Sequence, residues 1–175
     1  MESSVGVIRP ALQNELTLLQ AIDREAHQRY LGTACDHLAD DDPFPLDALV
    51  RYGEAGRILV AHMDDIPVGF VAWHIESDPT DLGIAQISVL PDYGRRGIGA
   101  SLMSATVDQA RQLGVHRVVL ATQIDVAWNA PWYQRLGFAV IPPTGQADWM
   151  RRSTAEQETA GLPWANRVWM QLSLD

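Results

Sequence analysis

The sequence contains no lysine: all 13 of its basic residues are arginine, set against 22 acidic ones, and the formal net charge is −9. Schiff-base catalysis and a lysine-bearing phosphate loop are therefore excluded. A chain this acidic repels the phosphates of a polyanion, so nucleic acid is not an expected partner. The lone cysteine, Cys35, rules out an internal disulfide, and no Cys pair or His/Cys cluster offers a zinc framework. No metal is expected, and a reducing cytoplasm suits the chain. No stretch approaches the roughly 20 apolar residues of a membrane span, and Met1 to Pro10 lacks the basic region and apolar run of a signal peptide. A soluble cytoplasmic protein with no membrane partner is the expectation.

What is present is enough for a core. The chain has 175 residues, 47% of them hydrophobic, which supports one compact domain with about two thirds of its surface buried. Val5 to Arg9 reads as a strand, and Pro10 opens a helix carrying Leu12, Leu16, Leu19 and Ile22 at helical spacing. Thr33 to Pro45, with Asp40, Asp41, Asp42, Pro43 and Pro45, is a loop signal before a short helix at Leu46, Leu49 and Val50. Ile58–Met63 and Val68–Ile75 flank Asp64, Asp65 and Pro67 as a hairpin. A polar turn, Ser77 to Asp81, leads to a strand over Ile84–Leu90. Then follow an amphipathic helix from Ile98 ending at Gly114, a strand over Val115–Thr122, a short helix from Asn129 to Gly137 and a strand over Phe138–Ile141. Residues 142–166 read as loop with a helical turn or two near Thr154–Ala160, before a last strand over Val168–Leu174. The order makes one mixed α/β domain, with the helix after the fourth strand favouring a parallel crossover.

The informative segment is Val89-Leu90-Pro91-Asp92-Tyr93-Gly94-Arg95-Arg96-Gly97-Ile98-Gly99, a strand passing through a glycine- and arginine-rich turn into a helix. Unpaired N–H groups at a helix start, with glycines removing side chains, can donate to a pyrophosphate, and Arg95 and Arg96 add charge. The G-x-x-G-x-G order reverses the dinucleotide fingerprint, which disfavours a nicotinamide site. The plain alternative is a tight turn. Downstream, Asn129 can cap the helix that carries Tyr133, and the two lie on one helical face. Trp73, Trp128 and Trp132 are either core or the lining of a cleft for a cationic amine.

The turn, together with Asn129-Ala130-Pro131-Trp132-Tyr133-Gln134-Arg135-Leu136-Gly137-Phe138, resembles the GNAT N-acetyltransferase family. The resemblance covers most of the chain and implies a GNAT domain over 5–175 with a mixed, mostly antiparallel, twisted sheet of about seven strands flanked by helices. It implies acetyl-CoA as co-substrate, held by Ile87, Ser88 and Val89 and by Gly94, Arg95, Arg96, Gly97, Ile98, Gly99 and Ala100, with Asn129 on the pantetheine and a backbone N–H near Val89 for the oxyanion. Tyr133 matches the family tyrosine that acts as general acid, interior packing being its alternative. Two positions depart from the pattern. Gly94 stands where Gln or Arg is usual, with Arg95 as the candidate to compensate, and Ala85 stands where many members carry a glutamate base. Glu76, His74 and Asp125 remain as proton acceptors near strand ends. Trp73, Glu76, Asp125 and Trp128 are the substrate-side candidates, for a small-molecule or protein amine. An edge strand leaves a homodimer open. The second function considered is a non-catalytic acyl-CoA sensor, for which the missing glutamate would be the signature.

Overall fold

The computed structural model describes residues 6–77 and 80–174. Along the chain run β1 (Ile8–Pro10), α1 (Leu16–His27), α2 (Leu46–Glu54), β2 (Ile58–Met63), β3 (Ile66–Ser77), β4 (Thr80–Val89), α3 (Ile98–Gln112), β5 (Arg117–Gln123), α4 (Ala130–Arg135), β6 (Ala139–Val140), α5 (Asp148–Thr159) and β7 (Arg167–Ser173). Seven strands make one sheet in the order β1-β2-β3-β4-β5-β7-β6. The β4/β5 pair is parallel, whereas β1/β2, β2/β3, β5/β7 and β6/β7 are antiparallel, so the expected mostly antiparallel sheet with a parallel crossover is what forms. The chain divides into two compact units, Met1–His74 with Ile84–Gln109 and Ile75–Gly83 with Ala110–Asp175.

In the first unit, β2 and β3 form the expected hairpin, with Met63 paired to Ile66 across Asp64 and Asp65. Both aspartates adopt positive φ, 49° and 64°. That is the left-handed pair a two-residue turn needs to match strand twist, and a short polar side chain tolerates it. Leu16, Leu19 and Ile22 of α1 bury against Leu49 of α2, Ile58 and Val60 of β2, and Phe70 and Ala72 of β3. Each of these side chains larger than alanine contributes about 1.5–3 kcal/mol of burial. Gly69 is needed for close approach: a Cβ there would lie 2.9 Å from the Ser88 carbonyl oxygen on the neighbouring strand.

The start of the first helix corrects the sequence-based expectation. Pro10 closes β1 rather than opening a helix, pairing with Leu59 on an edge strand where a missing N–H does no harm. A 3₁₀ turn, Gln13–Glu15, intervenes before α1. Glu15 organises it: its carboxylate accepts from the Leu12 N–H at 2.9 Å and from both terminal nitrogens of Arg9 at 2.9 and 2.6 Å, and it lies 3.0 Å from His62 Nε2. Val5, the expected start of the first strand, lies outside the described residues.

In the second unit, Asp81 is the larger surprise. Read from sequence as part of a polar turn, it belongs to β4 and is 0% exposed. Arg117, its partner in the parallel ladder, grips it with Nε at 2.7 Å and Nη2 at 3.1 Å. The Trp149 indole N–H donates to the same carboxylate at 2.9 Å, and Arg117 also donates to Gln171 of β7 at 2.6 Å. Asp78 and Pro79, the rest of that expected turn, lie outside the described residues. α5 begins at Asp148, well before the helical turns expected from Thr154, because Trp149 and Met150 in its first turn bury against Val119, Ile141 and Trp169. Tertiary packing supplies what the Pro- and Gly-rich local sequence obscures.

Two measurements check these contacts. Arg117→Met strands the Asp81 carboxylate in an apolar site and should cost about 3–5 kcal/mol in urea unfolding, whereas Arg117→Met combined with Asp81→Leu should recover much of that loss. The Arg9 guanidinium, ahead of the Leu12 N–H and His62 and against the opposing effect of burial, holds the Glu15 carboxyl at about 2 instead of the usual 4.5. A depressed carboxyl stabilises the fold above its unfolded pKa and loses that contribution as pH falls toward its folded value. Wild-type stability should therefore drop by roughly 2–3 kcal/mol between about pH 4.5 and 2, and Glu15→Gln should flatten that limb of the pH profile.

Candidate functional site

Val89 ends β4, and a 3₁₀ turn, Pro91–Tyr93, carries the chain to α3. Internal hydrogen bonds stop at the loop: Gly94 N–H donates to Pro91 O at 3.0 Å, and the next cap bond is Ser101 N–H to Gly97 O at 2.9 Å. Among the described residues no turn or cap bond is donated by the amides from Arg95 to Ala100. These are the orphan donors of a helix start, extended backward by the loop. Arg95 and Gly97 take positive φ, 60° and 80°, and Ile98 plugs the first helical turn into the core at 2% exposure. The result is a half-exposed row of main-chain donors at the positive end of a 15-residue helix, which is chemistry for a phosphate or diphosphate. Arg96 is turned back on the loop, its Nη2 donating to Asp92 O at 3.2 Å and its guanidinium lying over the Tyr93 ring.

The strand before the loop presents a polar cluster that the sequence reading did not single out. Asp23 of α1, 1% exposed, accepts from Ser88 Oγ at 2.5 Å, Gln86 Nε2 at 2.7 Å and the Phe44 N–H at 2.7 Å, with His27 Nε2 at 3.6 Å. Ser88 is thereby committed to the protein interior. Any part it plays in holding a ligand falls to its backbone. Ile87 is half-buried, Val89 is buried, and Ala85 places no carboxylate on this strand. A signal for Asp23 was available in the sequence: it lies four residues after Leu19 and three before Ala26, on the apolar face of α1, where a charge must find partners.

Tyr133 lies in the second unit, on α4. Asn129 sits at the helix start as expected, with its carbonyl accepting from the Trp132 and Tyr133 amides at 2.8 and 3.0 Å, but its side chain makes no capping bond. Tyr133 is buried, in edge contact with the rings of Trp132 at 4.8 Å and Phe138 at 5.7 Å. Gly137, at φ 96°, closes the helix and returns Phe138 to the core. Both the packing role and a phenol held at a fixed place are thus features of one residue.

Of the substrate-side candidates, Trp73 lies in β3 at 2% exposure, and its indole N–H has no acceptor among the described residues. Trp128 is half-buried beside Asn129, Glu76 is half-buried near the end of β3, and Asp125 is exposed after β5. Glu76, Asp125 and Trp128 belong to the second unit and Trp73 to the first. Among the described residues no group of His, Cys, Asp and Glu side chains could hold a metal ion, and no helix is long and apolar enough to cross a membrane.

Known proteins resemble this chain in sequence and in fold. Residues 18–138 match the acetyltransferase (GNAT) family profile. A mycothiol acetyltransferase of Corynebacterium aurimucosum is 29% identical over 98 residues, 55% of this chain and 31% of that protein, so the match spans about a third of the curated relative's length. Among solved structures, N-acetylglutamate synthase of Neisseria gonorrhoeae, complexed with coenzyme A and N-acetyl-glutamate, superposes with a TM-score of 0.73 at 17% identity over 97% of this chain and 35% of that one. A ribosomal-protein-alanine N-acetyltransferase of Brucella melitensis gives 0.68 at 20% identity over 96% and 99%. With the profile covering both the glycine loop and the Tyr133 helix, the chain belongs to the GNAT acetyltransferase family.

Proposed function

We propose that the chain, taken as one transferase domain over 5–175, moves an acetyl group from acetyl-CoA to a primary amine of a small molecule or protein, by direct attack in a ternary complex. The observation that carries this is the row of amides from Arg95 to Ala100, which fits the diphosphate of the coenzyme. Acetyl-CoA supplies the activated thioester. The protein's share is to hold it, to place a donor such as the Val89 N–H where negative charge develops on the carbonyl oxygen, and to deliver a proton to the departing thiolate. In this assignment Asn129 steadies the pantetheine and the Tyr133 phenol donates the proton. A protonated phenol at neutral pH suits a general acid for a thiolate leaving group. Nothing at Ala85 can take the proton of the attacking amine, so that step falls to another group or to water. A cytoplasmic location belongs to the same proposal, since the buried Cys35 forms no disulfide and needs no oxidising compartment.

The acceptor is open between small molecules and proteins, both of which are represented in the names of the similar proteins. The absence of a carboxylate at Ala85 favours one rival, a sensor that binds acyl-CoA without turnover. Free thiol release decides between them. Purified protein with acetyl-CoA and a panel of amino acids, amino sugars and N-terminal peptides should release CoA in an amine-dependent manner. Tyr133→Phe should lower kcat by about 10²–10³ while leaving CoA affinity within a few fold. Saturable CoA binding with no release for any amine would establish the sensor.

A further inference from the structure

Gly97 is a glycine of conformation, at φ 80°, whereas Gly94 has φ −60° and ψ 156°, which any residue adopts. What Gly94 provides is room. A Cβ placed on it would be crowded by Pro91 O at 3.1 Å and would lie in ordinary contact, 3.6 Å, with Nη2 of Arg29, a guanidinium from the turn after α1. Arg29 is half-buried, next to the loop whose amides lack internal acceptors.

The geometry points to Arg29 as a ligand of the coenzyme's diphosphate, supplied from outside the loop in place of the side chain that Gly94 lacks. This rests on the acetyl-CoA assignment above. A planar guanidinium offers paired N–H donors to two phosphate oxygens, and in a chain of net charge −9 it raises the local potential where an anion must dock. Glycine at 94 and arginine at 29 are then one device: a side chain extending beyond Cβ at 94 would compete with the neighbouring guanidinium for the space beside the loop. The role assigned to Arg95 by the sequence pattern passes largely to Arg29.

Calorimetric titration of the full chain tests this with three probes: CoA, dephospho-CoA, which keeps the diphosphate but lacks the 3′-phosphate, and pantetheine, which lacks both. Arg29→Ala should weaken CoA and dephospho-CoA alike by about tenfold and leave pantetheine within about twofold. Arg95→Ala, with the loop amides intact, should have the smaller effect. Gly94→Gln placed in the Arg29→Ala background should restore most of the affinity, although in the wild-type background it brings no gain. Unchanged CoA binding by Arg29→Ala, an equal loss on pantetheine, a loss confined to CoA, or a larger effect from Arg95→Ala each overturns the assignment. If the wild-type protein does not bind CoA, the transferase proposal falls with it; if wild type binds and Arg29→Ala binds equally well, only the role of Arg29 falls.

Discussion

A fully buried carboxylate sets the centre of the second unit. Asp81 and Arg117 face each other at the first of the three described rungs of the β4/β5 ladder, which is parallel where the other described pairs are antiparallel. A parallel pair is weaker per residue than an antiparallel one. The bidentate ion pair, the Trp149 donor and the Gln171 link draw β4, β5, α5 and β7 to a single point. A charge removed from water without such partners would be disfavoured by several kcal/mol. The cluster thus specifies register, which hydrophobic contacts alone do weakly.

Beyond Gly83 the same strand serves a different end. Its outer half carries Gln86 and Ser88 toward Asp23, and it delivers Val89 into the loop whose amides are left without acceptors. In an acidic protein, a site for a polyphosphate coenzyme of the kind proposed must concentrate positive potential locally. Here the backbone does much of that, since main-chain N–H groups and a helix dipole attract an anion without adding net charge. The arginines near the loop are few and differently employed: Arg96 braces the turn and Arg29 flanks the glycine.

The fold was largely readable from the chain because its signals are local. The Asp64–Asp65 turn, the branched and aromatic runs of β2 and β3, the glycine after α3 and the order of elements along the chain followed from turn chemistry, composition and periodicity. What escaped had distant causes. Pro10 reads as a helix opener until β2 is beside it, Asp81 reads as turn until Arg117 lies across from it, and the first turn of α5 depends on Val119, Ile141 and Trp169. The site divides in the same way. The loop and the Tyr133 helix are contiguous motifs and were visible in the sequence. Asp23 and Arg29 act on residues more than 60 positions away, and only a charge on an apolar helix face hinted at the former.

The carboxylate of Asp23 is satisfied by donors from β4 and from the loop entering α2, so its neighbours are bound by a rule of composition. An acid there demands hydroxyl and amide at 88 and 86, and those two, in turn, are poor tenants of an interior without the acid. Across a set of homologous chains the three positions should change as a group, either keeping the polar trio or exchanging it wholesale for apolar side chains. Mixed combinations, each carrying an unmatched buried group, should be rare in the evolutionary record.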